Sequence, residues 1–442
     1  MSATTQYETF FFESYEFDTA TTTATFRYSF DGTRQFSETV RFETVEVDVH
    51  KDVLDRCLEL ALFIVGTSYY KTFPTKNIVY RDKAFSPMQA ELINHVYSEG
   101  LGQFVFENNL TPDVLARVEG STDDPTPLPY KGEGIVSLQS GGKDSLLLGE
   151  LLNEQKQRYT ALYMTSSRTY PKVIQRLNSS KLRLMHRQLD KAGLDTATRD
   201  GGLNGHVPVT YIVLAYALID AVLHGDTVVL AAIGKEGEEP HTMVDGLPVN
   251  HQWSKTWPAE ELFSQYVTTL IAPTLKVGSP LRPYSELRIA ELFEQVCWED
   301  YANTFSSCNI ANYEQGQLNT ELKWCGKCPK CANTFLLFSP FVIPYELRRI
   351  FDGSDLYASE HPKVLKAFRG LLDIDGEMKP FECVGEVDEL RTAYHMGQKR
   401  YGDIAYHLPF TVPEGHFDYQ ALGPAQEWTQ AYLPERLRKK VY

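Results

Sequence analysis

Between residues 135 and 153 the chain reads as a buried strand, a two-glycine turn and a helix: Ile135-Val136-Ser137-Leu138, then Ser140-Gly141-Gly142-Lys143-Asp144-Ser145, then Leu146–Asn153. A short apolar strand running through such a turn into a helix is the unit of a parallel sheet covered on both faces. The turn leaves backbone N–H groups and the positive end of the helix facing one point, where an anion is favoured. Lys143 adds a mobile positive charge, and Ser140 and Ser145 add hydroxyl donors. Asp144 would be out of place in a site for anions alone. It reads as a ligand for a magnesium ion that bridges phosphate oxygens. The stretch implies that the chain handles ATP, with Ser140, Gly141, Gly142, Lys143, Asp144 and Ser145 as the phosphate grip.

The pattern around this unit supports an α/β fold with a doubly wound parallel sheet. Ile135–Leu138, Leu146–Asn153, Tyr159–Met164 and Ser179–Ala192 alternate strand, helix, strand, helix, followed by a helix at Val209–Leu223 and a strand at Thr227–Ala232. Ligands of such sheets bind beyond the carboxyl ends of the strands, where Ser140–Ser145, Thr165–Arg168 and Gly234–Glu239 would lie. Upstream, Glu8–Phe17, Thr22–Phe30 and Gln35–Val45 alternate aromatic or β-branched residues with polar ones, with Asp31-Gly32 in the last gap. They predict an antiparallel meander, and helices at Asp52–Val65 and Pro87–Glu99 complete an α+β unit. The Pro-containing stretch 119–134 is linker-like. The expected organisation is a β-rich α+β domain over 1–125, an ATP-binding α/β domain over 126–295, and a Cys-cluster and helical region over 296–442.

At 442 residues the chain is longer than a single core supports, which is the basis for expecting several domains. Its net charge of −15 repels nucleic acid backbones, so neither DNA nor RNA is an expected partner. The basic run Arg436–Lys440 is short and terminal, the pattern of a solvated tail. No apolar run is long enough to span a bilayer, and the first residues lack the charge and apolar pattern of a secretion signal, so the expected location is the cytoplasm with no membrane partner.

Seven cysteines, three of them in Trp324-Cys325-Gly326-Lys327-Cys328-Pro329-Lys330-Cys331, argue for a metal or free thiols over a disulfide framework. Tetrahedral zinc takes four soft ligands, so Cys325, Cys328 and Cys331 call for a fourth. Cys308 or Cys297 upstream could supply it, with His or solvent as the lesser options. A structural zinc is favoured, although thiolates also hold iron–sulfur clusters.

The hexapeptide Ser140–Ser145 lacks the spacing of a Walker A loop. It resembles the SGGxDS loop of the PP-loop ATP pyrophosphatases, which grip pyrophosphate and release AMP while adenylating a substrate. Three further segments, Asn204–Thr210, Val249–Lys255 and Lys379–Gly385, resemble segments of the UDP-N-acetylmuramoyl-L-alanyl-L-glutamate epimerases, the MurL family. With the phosphate loop, the cysteine cluster and the aromatic amino terminus, the likeness keeps one order over nearly the whole chain. It departs at Gly234–Pro240, where a loop richer in Ser and Asn is expected.

The resemblance implies ATP-dependent inversion of the terminal L-glutamate of UDP-MurNAc-L-Ala-L-Glu, with AMP and diphosphate released, for peptidoglycan synthesis. ATP and the nucleotide-linked dipeptide are then the small-molecule partners, and Mg2+ the cofactor. The acid–base candidates are His206 and His251, because imidazole titrates near neutrality, then His241 and Cys383. Arg168, Lys172, Lys235 and Lys255 are the cations available for phosphates and carboxylates, and Gly201-Gly202 reads as a flexible turn near the site. Two other readings share some of these features: a different PP-loop adenylating enzyme, such as a 7-cyano-7-deazaguanine synthase-like enzyme or an amide-forming ligase, and a non-catalytic nucleotide- and zinc-binding module.

Overall fold

A computed structural model of the chain describes residues 6–45, 49–314, 317–402 and 407–438. The first five residues, and Lys439 and Lys440 of the basic run, lie outside the described residues.

Strands β1 (Thr9–Asp18), β2 (Thr23–Phe30) and β3 (Arg34–Arg41) pair antiparallel in sequence order. Asp31 and Gly32 both take positive φ in the turn between β2 and β3, a conformation that short polar residues and glycine tolerate best. Alternation along these strands buries Phe10, Phe12, Phe26, Tyr28 and Val40. Their main cover is the helix Lys51–Val65, whose last six residues are all buried. Strand β4 (Asn77–Tyr80) adds to β1 in parallel.

The second block contains β5 (Ile135–Leu138), β6 (Thr160–Thr165), β7 (Lys181–Gln188) and β8 (Val228–Leu230). A small hairpin, β9 (Thr242–Val244) and β10 (Leu247–Val249), precedes β11 (Lys276–Gly278). The large sheet runs β11-β8-β5-β6-β7-β3-β2-β1-β4, with every pair from β11 to β7 parallel. The segment Ser179–Ala192, expected to be a helix, is instead strand β7 with the helix Lys191–Arg199 after it. Its alternation of Leu182, Leu184 and His186 with Arg183, Met185 and Arg187 has period two, and a strand can bury something on each face.

Because β7 also pairs antiparallel with β3, meander and parallel block form one sheet. At that seam Glu38 is fully buried. It accepts hydrogen bonds from Arg187 Nε (2.6 Å), the Tyr69 hydroxyl (2.9 Å) and the Tyr216 hydroxyl (2.5 Å). A buried carboxylate is tolerable only with such a full set of partners.

Successive residues of the parallel strands enter two different cores. Val136, Leu162 and Val229 pack with the helices Lys51–Val65 and Val209–His224, whereas Ala161, Tyr163, Val228 and Leu230 pack with Lys143–Glu154 and Glu286–Tyr301. The carboxyl-terminal helices Pro329–Phe338, Pro362–Leu371 and Val387–Tyr401 join the second core. The chain leaves β5 toward β6 on one side and returns through β8 on the other, so the order reverses beside β5. A crevice opens outside the carboxyl ends of strands at such a point. Among the described residues no helix is long and apolar enough to cross a membrane.

Candidate active site

Ser140–Ser145 lies at that crevice. Gly141 has φ +79°, and a Cβ there would stand 2.7 Å from Leu322 Cδ1, so both conformation and packing require glycine. Gly142 is the N-cap of the Lys143–Glu154 helix, and no side chain caps it. The first-turn N–H groups are thereby left for a ligand anion. A Cβ on Gly142 would meet only Ser140 Oγ at 3.4 Å and Ser307 Cβ at 3.9 Å, so this side of the turn is open. Ser145 Oγ accepts from the Ser140 N–H (3.2 Å), and Ser140 Oγ accepts from the Gly142 N–H (3.3 Å), which holds the loop in shape. These features fit a phosphate group.

A cavity of about 440 Å³ opens at the loop, lined by Ser140, Gly142, Lys143, Asp144 and Ser145 and, from other elements, by Glu236, Lys255, Glu286, Cys308 and Cys383. Lys143 Nζ lies 2.7 Å from Asp144 Oδ1 and 3.6 Å from Glu286 Oε2. Burial opposes the Lys143 charge, but Asp144, Glu286 and Glu236 outweigh it and hold the ammonium well above the usual lysine range. Asp144 stays 28% exposed at the cavity, which leaves a carboxylate able to take part in holding a magnesium ion beside bound phosphates.

Lys255 Nζ pairs with Glu236 at 3.2 Å. Burial opposes its charge too, and Cys383, Glu236, Asp144 and Glu286 together keep it protonated. Burial raises Glu236, with Glu286 adding to the effect. The fully buried Arg282 ties this cluster down by donating from Nη1 to the carbonyls of Gly234 and Lys255, each at 2.8 Å, while its Nε donates to Glu260 at 2.8 Å.

Cys383 reaches the cavity because its segment is fastened from three sides. Gln252 Nε2 donates to the Val384 carbonyl (3.0 Å), Asn333 Oδ1 accepts the Gly385 N–H (3.0 Å), and Lys330 pairs with Glu382 (3.5 Å). Asn333 also donates to Glu286 at 3.4 Å, so hydrogen bonds run from the segment back to the ion pair of Lys143.

Next to this wall three histidines meet. The rings of His206 and His251 are 4.6 Å apart, those of His241 and His251 6.5 Å, and His241 stacks on Phe381 at 4.9 Å. Burial keeps all three neutral. It pushes His206 down to about 4 with help from Lys71, His241 to about 4 with help from Lys379, and His251 to about 2 with help from its two histidine neighbours. His241 Nε2 lies 3.0 Å from the Pro380 carbonyl and so carries the proton, and its buried Nδ1 has no hydrogen-bond partner among the described residues.

On the other side of the cavity the ligand atoms of Cys308, Cys325, Cys328 and Cys331 all lie within 4.8 Å of one another. Neighbouring sulfurs are 3.5 to 3.7 Å apart and no disulfide joins them. A tetrahedron of zinc–sulfur bonds of about 2.3 Å has edges of roughly 3.8 Å, so four thiols at this spacing suit zinc.

The sequence matches the MurL N-terminal domain over residues 1–279 and the MurL C-terminal domain over residues 304–403. It is 34% identical over 394 residues, 86% of this chain and 83% of the relative, to a UDP-N-acetyl-alpha-D-muramoyl-L-alanyl-L-glutamate epimerase of Salinispora tropica. A protein of the same name from Xanthomonas oryzae pv. oryzae is 31% identical over 88% of this chain and 85% of its own length. A third, from a Micromonospora species, is 32% identical over 92% of this chain and 91% of its own. The chain belongs to the MurL family. It is therefore an epimerase, an isomerase in reaction class.

Of the residues singled out from the sequence of this MurL chain, Ser140, Gly142, Lys143, Asp144, Ser145, Lys255, Cys308 and Cys383 line one cavity. Gly141 packs on Leu322, Val173 and Pro171 instead. His206 and His251 come together, but outside the lining of that cavity. Cys308 joins the other three thiols, whereas Cys297 is fully buried in the Glu286–Tyr301 helix and is not among them. Of the four cations Arg168, Lys172, Lys235 and Lys255, Lys255 lines the cavity, whereas Lys172 pairs with Glu321 on the exposed surface, Lys235 lies over the Phe417 ring, and Arg168 sits in a positive-φ turn. Gly201, at φ +88°, is in the turn that ends the Lys191–Arg199 helix.

Sequence reasoning placed the Gly234–Glu239 loop at the ligand end of the sheet without singling out Glu236, and it missed Glu286, Asn333 and Arg282. Glu236 lies in the Gly234–Pro240 loop, where the sequence departs from the MurL expectation of a loop richer in Ser and Asn. The other three sit in ordinary helix-start, helical or loop contexts, and nothing local marks them.

Proposed function

We propose that this MurL chain inverts the terminal L-glutamate of UDP-MurNAc-L-Ala-L-Glu to D-glutamate, with ATP activating a carboxylate of that residue and AMP and diphosphate leaving. The observation that supports it best is the meeting of the Ser140–Ser145 loop, Lys255 and Cys383 on one cavity wall, with three neutral histidines beside it.

The chemistry explains why a phosphate grip and proton-transfer groups belong together. Removing the α-proton beside a free carboxylate builds a second negative charge next to the first. Attack of the α-carboxylate oxygen on the α-phosphorus of ATP forms an acyl adenylate and breaks the bond to diphosphate. The carboxylate charge is then gone, and a side-chain base can take the neighbouring proton. Return of a proton to the opposite face inverts the carbon, and water splits the acyl–phosphate bond to free AMP. Each proton-transfer group is worth on the order of 100- to 10,000-fold.

The first-turn N–H groups after Gly142, with Ser140, Ser145 and Lys143, would stabilise the departing diphosphate, an electrostatic contribution made before reaction begins. Magnesium held by Asp144 would neutralise phosphate charge when bound. Lys255 would meet the phosphate or the carboxylate undergoing activation. Cys383 and the pair His206 and His251 are the groups assigned to proton transfer. A structural zinc is assigned to Cys308, Cys325, Cys328 and Cys331. The enzyme would work on a soluble nucleotide-linked precursor in the cytoplasm.

The direct test is to incubate the protein with ATP, Mg2+ and UDP-MurNAc-L-Ala-L-Glu, hydrolyse the product and resolve glutamate enantiomers. D-glutamate accompanied by AMP is expected. No D-glutamate, with AMP released on a different acid, would overturn the reading in favour of another adenylating enzyme.

A further inference from the structure

We propose that Cys308, Cys325, Cys328 and Cys331 bind a zinc ion whose work is to hold one wall of the nucleotide cavity, so that ATP binding depends on the metal. The inference rests on reading the cavity as a nucleotide site and adds a role for the thiols.

The tetrad is built as a ligand set. Cys308 and Cys331 are fully buried and Cys328 nearly so. The Ala311 N–H donates to Cys308 Sγ at 3.4 Å and the Lys327 N–H to Cys325 Sγ at 3.3 Å. Hydrogen bonds of this kind steady metal-bound thiolates and orient them. Three buried thiols and the half-buried Cys325 converge on one point, and among the described residues these four are the one group of three or more His, Cys, Asp or Glu side chains placed to share an ion.

The cavity wall hangs from this cluster. Cys308 itself lines the cavity, as do Ser306 and Asn312 from the same segment and Trp324 and Lys330 around the other thiols. Ser306 is the joint. Its N–H donates to the Gly141 carbonyl at 3.2 Å, in the phosphate loop, and its hydroxyl accepts from the Cys308 N–H at 3.0 Å. The hydroxyl also donates to the Lys323 carbonyl at 2.7 Å and accepts from Asn312 at 3.1 Å. Leu322, from the same loop, packs on Gly141.

Ser306, two residues before Cys308, and Leu322, within the loop from Cys308 to Cys325, thus both touch Gly141, and the two ends of that loop converge at the four sulfurs. Metal binding pins them together, as ligation and folding are one equilibrium in small thiolate sites. Without the ion, the segment that positions Ser306 and Leu322 against Gly141 keeps its hydrogen bonds to Lys172 and among Ser306, Asn312 and Lys323, but its two ends are no longer pinned together.

The test uses the full-length protein. Zinc content is measured by elemental analysis, and Mg-ATP binding by calorimetry on loaded, stripped and zinc-restored samples, stripping being done with a mercurial and chelator followed by excess thiol. One zinc per chain is expected, with ATP affinity falling at least about tenfold on stripping and returning with zinc. Cys325→His keeps four ligands and should keep zinc and ATP binding, whereas Cys325→Ser should lose both. Ser306→Ala should keep zinc and lose ATP affinity, a separation that general unfolding would not produce. Unchanged ATP affinity in the stripped protein overturns the proposal, as does a chain that takes up no zinc or carries an iron–sulfur chromophore. Loaded protein that binds no ATP would sink the nucleotide reading as well. Zinc-dependent ATP binding without inversion of glutamate would sink only the epimerisation chemistry.

Discussion

Gln103 Oε1 stands 2.8 Å from His251 Nδ1, and the amide nitrogen of the same Gln103 donates to Glu107 at 2.7 Å. A carboxylate only accepts, so the amide oxygen is committed to accepting as well, and the proton of His251 belongs on Nδ1. That leaves the lone pair of neutral His251 on Nε2.

His251→Ala is expected to lower epimerisation by at least about 100-fold, the usual scale for a proton-transfer group. Gln103→Leu, which frees the ring to turn over, should lower it less, by roughly tenfold. Neither should move the dissociation constant for Mg-ATP, measured by calorimetry. A large loss of ATP affinity would place His251 in the fold and not in the chemistry.

Cys383→Ala separates activation from inversion. ATP–diphosphate exchange should continue in the presence of the dipeptide substrate, while uptake of solvent deuterium at the glutamyl α-carbon falls by about 100-fold or more. Loss of both together would show that Cys383 supports the activation half of the site.

Asp144→Ala should suppress diphosphate release by at least about 100-fold and melt at the temperature of the parent chain. Its carboxylate is part-exposed and ends one ion pair with Lys143, so the fold does not rest on it. Asp144→Asn should raise the magnesium concentration needed for half-maximal rate. An unchanged magnesium requirement would remove the metal role from this residue.

The two loop glycines should behave differently. Gly141→Ala meets a positive φ and a Leu322 carbon at 2.7 Å, and should cost about 1 kcal/mol or more of stability. Gly142→Ala has open space before it and a φ of −85°, so it should fold normally and bind ATP less tightly by crowding the ligand. Chemical denaturation and calorimetry on both variants check the contrast.

Acid should destabilise the chain partly through His206. Burial lowers it from an unfolded value of about 6.5 to about 4, so the unfolded chain binds its proton first as pH falls. The contribution is intact above the unfolded value and is lost as pH drops through that window. His206→Gln should therefore make stability fall less steeply between those two values, by up to one proton, in denaturant titrations run across pH. Identical slopes in the two proteins would show that His206 is solvated.

How legible the site was depends on the range of the forces involved. The strand, turn and helix start around Ser140–Ser145 could be read because they are neighbours in the chain. The Cys325, Cys328 and Cys331 spacing was visible for the same reason. The choice of Cys308 over Cys297 was not, because it turns on which residue the Glu286–Tyr301 helix buries and which one the following loop delivers to the cluster. Strand β7 was misread at Ser179–Ala192, where polar and apolar residues alternate on a strand packed on both faces.

From the sequence alone came the parallel α/β block, the glycine turn at Ser140–Ser145, the thiol motif and the resemblance to the MurL epimerases, all carried by residues close together in the chain. Only the tertiary structure decided that the antiparallel meander continues the parallel sheet through the β3 and β7 pair. It alone brought Glu236, Lys255, Glu286 and Cys383 to the Lys143–Asp144 pair and set the three histidines side by side. The physical reason is burial. Charged groups removed from water must find partners from whatever elements the packed cores bring near, and those partners are settled by the fold and not by neighbours along the chain.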